Sequence, residues 1–288
     1  MKIDVFKGDR RKIKMKRKLV SICMPVYNSA GTIKEALQSA LDQTYPNIEI
    51  IVVDNRSTDG TPDVVRGLKD DRIRLIENVA NIGMVGNWNK ALMCAEGDYV
   101  IMLHGDDRLY PNSVASKVEM MEKNRGVSIV ISASRVINGR GEVIMERHPF
   151  KCDRIINGKK FARYSYLTKN VYGEPSNILF RPEIAKRLGG FVGDMAYAAD
   201  WDLWIKMSCI GKVGYVNDVL MDYRISQTNA TSKTHTVRML EDDKDMTENI
   251  EKQGIMKLSN RDKIIHRIKV IGRTVARGIY IRIKTLGE

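Results

Sequence analysis

The chain has 288 residues, 43% of them hydrophobic and 29% charged, with a net charge of +13. That length can bury one large core, or one core with an appendage, and the composition is ordinary for a globular chain. No apolar run reaches the roughly 18 residues that a membrane-spanning helix needs, and no apolar stretch of signal-peptide type follows the charged N-terminus, so neither a bilayer span nor secretion is expected.

The charge is unevenly placed. Residues 1–18 hold nine Lys/Arg against Asp4 and Asp9, and residues 261–288 hold eight against Asp262 and Glu288, leaving the body neutral. A neutral body with two basic ends predicts docking on an anionic surface, either membrane or nucleic acid. Cys23, Cys94, Cys152 and Cys209 lie far apart with no CxxC pair. That spacing points to reduced thiols in a cytoplasmic protein and away from a zinc site.

In chain order, residues 19–26 read as a first buried strand, which Pro25 is expected to end because it cannot donate to a ladder. Thr32 with Glu35 predicts a capping box and a helix to about residue 43, with Ile33, Leu37 and Leu41 on one face. Residues 50–53 form an unbroken β-branched run, a buried parallel strand by composition. The turn-rich Asp54-Asn-Arg-Ser-Thr-Asp-Gly60 follows, then a helix with Pro62 near its start. Further elements are a strand at 72–77, a helix at 87–95 ended by Gly97, a strand at 99–103, a helix at 112–123 and a strand at 127–132. This alternation predicts a mostly parallel sheet with helices on both faces. Ligands of such sheets bind outside the carboxyl ends of the strands, which puts Pro25–Asn28, Asp54–Asp59 and His104–Asp107 on one edge.

His104-Gly-Asp-Asp107 is the most informative of these loops. Two adjacent carboxylates at the end of a buried strand are costly unless a cation lies between them. Oxygen ligands suit Mg or Mn, with the remaining ligands taken from a substrate's phosphates. The alternative is a solvated turn that caps the next helix. No G-x-G-x-x-G follows the first strand and no G-x-x-x-x-G-K-[ST] occurs, which argues against a dinucleotide-dependent dehydrogenase and a P-loop NTPase.

The later chain is less explicit. Asn138-Gly-Arg-Gly141 predicts a hairpin turn. Residues 164–174, rich in tyrosine, read as a flexible acceptor loop or as packing. Residues 226–233 read as a polar lid, and residues 237–253 as an acidic surface helix. In the tail, Ile264, Ile268, Ile271, Val275 and Ile279 recur at helical spacing among Arg267, Lys269, Arg273, Arg277 and Arg282. This stripe either lies in an anionic membrane surface or packs on the body.

Several stretches together resemble the family 2 glycosyltransferases of the GT-A fold. These are Val20-Ser-Ile-Cys-Met-Pro-Val-Tyr-Asn28, Ser39-Ala-Leu-Asp-Gln-Thr-Tyr-Pro46 and Ile50-Ile-Val-Val-Asp-Asn-Arg-Ser-Thr-Asp-Gly-Thr61. Asn81-Ile-Gly83, Ala95-Glu-Gly-Asp-Tyr99, Asp106-Asp107, Gly189-Gly-Phe191, Asp200-Trp-Asp-Leu-Trp204 and Tyr223-Arg224 follow in the family's order. The resemblance covers roughly residues 19–231. It implies an α/β GT-A domain at 19–232, with a nucleotide-binding half (19–133) and an acceptor half (134–232). A basic segment (1–18) and a helical basic tail (233–288) flank that domain.

The resemblance also implies an inverting, metal-dependent transfer (Mn or Mg) from a nucleotide-diphosphate sugar. The acceptor would be a hydroxyl of a glycan or lipid-linked molecule, as in cell-surface polysaccharide synthesis at the inner face of the membrane. Carried onto this chain, Pro25 and Tyr27 would border the nucleotide, with Tyr27 packing beside the base. Asp54 and Asn55 would line the base pocket. Asp106 would contact the ribose and, with Asp107, hold the metal. Arg224 would lie near the diphosphate, and Asp200 would be the general base. Each assignment has a plainer reading: Tyr27 as a packed loop aromatic, Asp200 as a helix-start acid with Asp202 as the competing base, and Arg224 as a surface ion pair. The chain departs from the family at Asn55, His104, Ala199 and Ser226. Asn55 leaves the base open, since an amide donates as well as accepts.

Two other classes are weighed. A nucleic-acid binder fits the basic ends, but the body has no recognition motif, and no nucleic-acid partner is expected. A sugar-phosphate nucleotidyltransferase would carry a basic Gly-rich loop after the first strand, where Tyr27-Asn-Ser-Ala-Gly31 has no Lys or Arg.

Overall fold

The computed structural model describes residues 17–193, 195, 197–225 and 236–285, with the side chains of 236, 237 and 273–285 outside that description. The basic N-terminal segment up to residue 16, the polar stretch 226–233 and the distal part of the tail's apolar stripe therefore lie outside the described residues. The first half is the expected alternation. Strands β1 (Val20–Val26), β2 (Ile48–Asp54), β3 (Ile73–Glu77) and β4 (Tyr99–Met102) alternate with helices α1 (Ile33–Leu41), α2 (Thr61–Gly67) and α3 (Met84–Cys94). β5 (Arg108–Leu109), α4 (Ser113–Lys123) and the long β6 (Val127–Ile137) follow. β7 (Val143–Arg147), β8 (Arg154–Ile156), α5 (Gly158–Thr168), a single 3₁₀ turn (Pro175–Asn177), β9 (Leu179–Phe180) and α6 (Pro182–Arg187) make up the middle. The chain closes with α7 (Ala199–Ile210), β10 (Lys212–Arg224), α8 (Thr236–Lys252) and α9 (Asn260–Thr285).

Among the described residues all ten strands form one sheet, in the order β3-β2-β1-β4-β9-β6-β10-β5, with β7 on β6 and β8 on β10. β1, β2, β3 and β4 pair in parallel, and so do β6 and β10. The second half is mixed, because β9 runs antiparallel between β4 and β6. β5, β7 and β8 also pair antiparallel. The β-branched run of β2 is buried on both faces, as its composition requires. One apolar cluster joins α3, α5, α7 and Met246 and Ile250 of α8 to one sheet face, while α1 and α4 cover the other.

Several local expectations change. β1 continues one residue past Pro25, which is buried and registered with Val53. The β1–β4 ladder has already ended at Cys23–Met102, so the missing N–H has no ladder to break. The capping box does not form: Thr32 makes no side-chain cap bond, because Glu35 turns away to two arginines, Arg108 and Arg224. Of residues 164–174, those up to 168 lie in helix α5 and the rest are non-helical, and Tyr166 and Tyr172 are buried, so the packing reading holds for these two tyrosines. The acidic α8 is not a surface ornament either: Asp242, Met246 and Ile250 are buried, the last two within the apolar cluster that includes α7. The hairpin turn at 138–142 forms as expected, with Asn138 accepting from the N–H groups of Arg140 and Glu142.

Gly97 does not cap α3, whose C-cap is Ala95. It is a point of close approach, where a Cβ would lie 2.7 Å from both the backbone nitrogen and the Oγ of Ser21. Gly97→Ala is therefore expected to cost about 1–3 kcal/mol through overpacking at the β1 edge. Urea unfolding reads this directly, and an unchanged midpoint would contradict it.

Candidate active site

Three loops leave the carboxyl ends of the adjacent parallel strands β1, β2 and β4, and side-chain bonds join the first two. Asn28 Oδ1 accepts from the N–H of Thr58 (2.8 Å), and Asn28 N–H donates to Ser57 Oγ (2.9 Å). Ser29 N–H donates to Thr61 Oγ1 (2.8 Å) and Ala30 N–H to Asp59 Oδ2 (2.9 Å). Asn28 and Arg56 hold positive φ, the only non-glycine residues to do so among those described. Two strained residues in facing loops fit a site whose backbone is fixed by its surroundings. Tyr27 stands at the rim, half exposed.

Asp54 ends β2, buried. Its Oδ2 accepts from Ser57 N–H at 2.9 Å, while Oδ1 is buried with no hydrogen-bond partner. An acceptor in that position is costly unless a ligand donates to it. Asn55 is different. Its Nδ2 donates to Asn81 Oδ1 (2.9 Å) and Gly83 O (3.1 Å), and its Oδ1 accepts from Asn78 Nδ2 (3.0 Å) and Ile82 N–H (2.9 Å). All four of its hydrogen-bonding positions are thus used to hold the 78–83 segment, leaving none to read a base.

Beyond β4, His104, Asp106 and Asp107 each offer a ligand atom, and these atoms lie within 4.8 Å of one another. His104 packs its ring on Trp88, centroids 5.1 Å apart, and its Nε2 is buried without a partner. Burial holds its pKa below the usual range, so the imidazole is neutral and able to ligate. Asp107 is fully buried. Oδ1 accepts from the N–H of Arg224 (3.0 Å) and Oδ2 from Ser176 Oγ (2.5 Å). Burial, reinforced by Asp106, pushes its pKa well above the usual carboxylate value. A carboxylate in that position gains from a cation, and a neutral imidazole beside two carboxylates is a donor set that suits a divalent ion such as Mn.

Arg224 supports this loop. Its Nε donates to Asp106 O (2.9 Å), its Nη1 to Gly139 O (3.3 Å), and its Nη2 pairs with Glu35 (2.5 Å). The side chain is only 6% exposed, so Arg224 is no surface ion pair. A neighbouring network locks β10 beneath it: buried Asp222 accepts from Arg108 (2.6 Å), Arg135 (3.1 Å) and Tyr110 (2.9 Å).

Asp200 lies in the first turn of α7, past the N-cap Ala198, so it does not cap the helix. Burial pushes its pKa up to about 7, and the negative charge of Glu174 adds to that. Trp201 N–H and the Asn170 side chain donate to the carboxylate and partly offset the rise. Asp202 points elsewhere. It pairs with Lys206 (2.6 Å), both fully buried, and accepts from Asn249 of α8 (2.9 Å). That carboxylate is spent on packing.

Glu174 and Ser176 were not among the sequence candidates. The negative charge of Glu174 raises the pKa of both Asp107 and Asp200. Its Oε1 pairs with Arg147 and its Oε2 is buried without a partner. Ser176, on the 3₁₀ turn, accepts from His104 N–H (3.1 Å) and donates to Asp107. The sequence signal was Glu174-Pro-Ser-Asn177, where Pro175 opens a rigid turn.

Residues 21–189, more than half of the chain, match the model of glycosyl transferase family 2. The chain belongs to that family. It is 30% identical over 218 residues to an uncharacterized glycosyltransferase of Rickettsia typhi, spanning 74% of this chain and 66% of that protein. The chain thus spans about two thirds of that relative's length. An Escherichia coli enzyme, UDP-Glc:alpha-D-GlcNAc-diphosphoundecaprenol beta-1,3-glucosyltransferase, is 41% identical over 107 residues, 37% of this chain and 43% of its own. The fold is that of TarS from S. aureus, solved with UDP-GlcNAc, at a TM-score of 0.68 and 18% identity over 90% of this chain and 72% of that one. It is also that of a mannosyltransferase from Pyrobaculum calidifontis, solved with GDP-Man and Mn2+, at 0.61 and 21% over 91% and 74%. These are GT-A glycosyltransferases, so the α/β GT-A architecture is as expected.

Proposed function

We propose that this chain is an inverting, metal-dependent glycosyltransferase. It moves a sugar from a nucleoside-diphosphate sugar to a hydroxyl of a lipid-linked or glycan acceptor at the inner face of the cell membrane. The observation that carries the reading is the His104–Asp106–Asp107 cluster, whose ligand atoms lie within 4.8 Å of one another, at the same sheet edge as the unpartnered acceptor of Asp54.

Asp54 Oδ1 accepts a ring N–H of the base, which selects uracil or guanine over a base without one. Tyr27 covers the base, and Pro25 lies in the strand wall beneath it. Asn55 holds the neighbouring loop. Asp106, Asp107 and the Nε2 of His104 would hold the divalent metal, which supplies charge stabilisation to the leaving diphosphate when bound. Arg224 keeps Asp106 and Asp107 in place and lends positive charge beside the diphosphate. Asp200 removes the proton of the acceptor hydroxyl; its raised pKa matches a base that works near neutral pH. Glu174 accepts a hydroxyl of a bound sugar through its unpartnered oxygen. The membrane setting is supported by the relative that acts on a diphosphoundecaprenol-linked sugar, and no helix among the described residues is long and apolar enough to cross a membrane.

Thermal denaturation with a panel of sugar nucleotides, with and without Mn, tests this. A UDP- or GDP-sugar should raise Tm by several degrees only when Mn is present. ADP-sugars should not, and NMR of the product should show an inverted anomeric centre. Equal stabilisation by all bases, or a retained anomer, would overturn the reading.

A further inference from the structure

Helix α9 is docked on the body by its polar side. Asp262, His266 and Val270, four residues apart, are buried. Asp262 pairs with Arg163 of α5 (2.6 Å). His266 lies stacked on the Tyr166 ring at 3.8 Å, with Nδ1 2.5 Å from Tyr166 O and Nε2 2.7 Å from Asp243 of α8. These contacts fix the rotation of the helix about its axis.

The isoleucines face the other way. Ile264, Ile268 and Ile271 are 59%, 63% and 45% exposed. At 100° per residue their stripe lies about 180° from the docked side, with Arg261 and Arg267 roughly 60° to either side of it. Arg261, Arg267 and Lys269 are all exposed, and the one acid of residues 260–272, Asp262, is buried. A helix packed for apolar burial alone would be turned over. This one holds an apolar ridge outward between cations, with its acid hidden.

We propose that the Ile264–Ile268–Ile271 ridge of α9 is a docking surface for an anionic lipid bilayer, lying in the headgroup plane with its arginines on lipid phosphates. Charge chooses this occupant. The ridge carries cations and no exposed acid, so a second copy of the same face would meet like charge, while an anionic leaflet meets opposite charge and apolar depth together. The proposal rests on the membrane setting given above for the transfer reaction, and it supplies the surface that would hold the enzyme there.

Flotation of the full chain tests it, using phosphatidylcholine vesicles with and without about one third phosphatidylglycerol. The wild type should float with the anionic vesicles, less so in about 0.5 M salt, and little with the neutral ones. Ile264→Glu/Ile268→Glu/Ile271→Glu should lose flotation by roughly 20-fold or more while keeping its melting temperature. The single Ile268→Glu serves if the triple variant melts early, and Arg261→Glu/Arg267→Glu should lose several-fold. Turnover with a water-soluble acceptor should be unchanged in all of them. Equal flotation of wild type and ridge variants, or none by the wild type, overturns the proposal. A wild-type dimer that the ridge variants convert to monomer overturns it in favour of self-association. Loss of transferase activity in every form, with flotation intact, would instead sink the catalytic reading and leave the ridge standing.

Discussion

Replacing Asp107 with asparagine is expected to leave a folded protein that transfers no measurable sugar. Asp107→Asn keeps an oxygen for the N–H of Arg224 at 3.0 Å and occupies the same buried volume beside Ser176. It removes a negative charge that burial and Asp106 already disfavour, so stability should hold or rise slightly. What is lost is the charge that would hold a metal at the leaving diphosphate, and interactions of that kind carry several kcal/mol of transition-state stabilisation. A fall of at least roughly 10³-fold in kcat is expected, together with loss of the Mn-dependent rise in Tm on adding donor. Asp106→Ala should be impaired strongly but less completely, because Asp106 is not fully enclosed. Full turnover by Asp107→Asn in EDTA would remove the metal from the mechanism.

The second large effect is at Asp200. Asp200→Asn keeps the shape of the side chain and removes the proton acceptor. A loss of roughly 10²–10⁴-fold in kcat is expected, with donor binding nearly unchanged. The pKa near 7 adds a pH signature. Wild-type kcat should fall about tenfold for each pH step below 7, as the base becomes protonated, and the residual rate of Asp200→Asn should lack that limb. Stability should move oppositely. A carboxyl whose folded pKa is raised contributes fully below its ordinary range, and that contribution is lost as pH rises toward the folded value. Asp200→Asn should therefore melt above wild type at pH 8, by on the order of 2 kcal/mol, and no higher near pH 4. An active Asp200→Asn beside an inactive, well-folded Asp202→Asn would assign the base to the other carboxylate. The Asp202–Lys206 pair instead predicts that Asp202→Asn suffers mainly in stability, since it strands a buried lysine.

The first half of the domain was legible because its signals are local. A β-branched run buried on both faces reads as a parallel strand wherever it occurs, and a turn-rich loop after it falls at the ligand edge by topology alone. That reasoning reached Asp54, Asp106 and Asp107 without coordinates. The roles of Asn55 and Arg224 were less accessible, because they depend on partners 26 and 189 residues away in the chain, Asn81 and Glu35. Asn55 could be expected in the base pocket, but only its four bonds in the fold show its amide already used. Glu35 fitted a capping box by spacing, until two arginines from β5 and β10 claimed it. Glu174 and Ser176 carried only the signal of a rigid turn at Pro175; Ser176 meets His104 and Asp107 only once β9 is inserted between β4 and β6.

The tail shows the same division in one helix. Periodicity and composition determined that residues 264–271 would form a basic amphipathic helix, since side-chain spacing on a helix is a property of the chain alone. They also determined the parallel strands and placed the acid pair at a strand end; the family was legible in the order of the motifs it resembles. Which way the helix faces is decided by the long-range bonds of His266 to Asp243 and Tyr166, and of Asp262 to Arg163. Likewise Asp200 and Asp202 are two residues apart with similar propensities, so local sequence could not rank them. The fold distinguishes them, by putting Lys206 and Asn249 against Asp202 and the charge of Glu174 near Asp200. Burial and partner charge set what a carboxylate can do, and both are sums over residues distant in sequence.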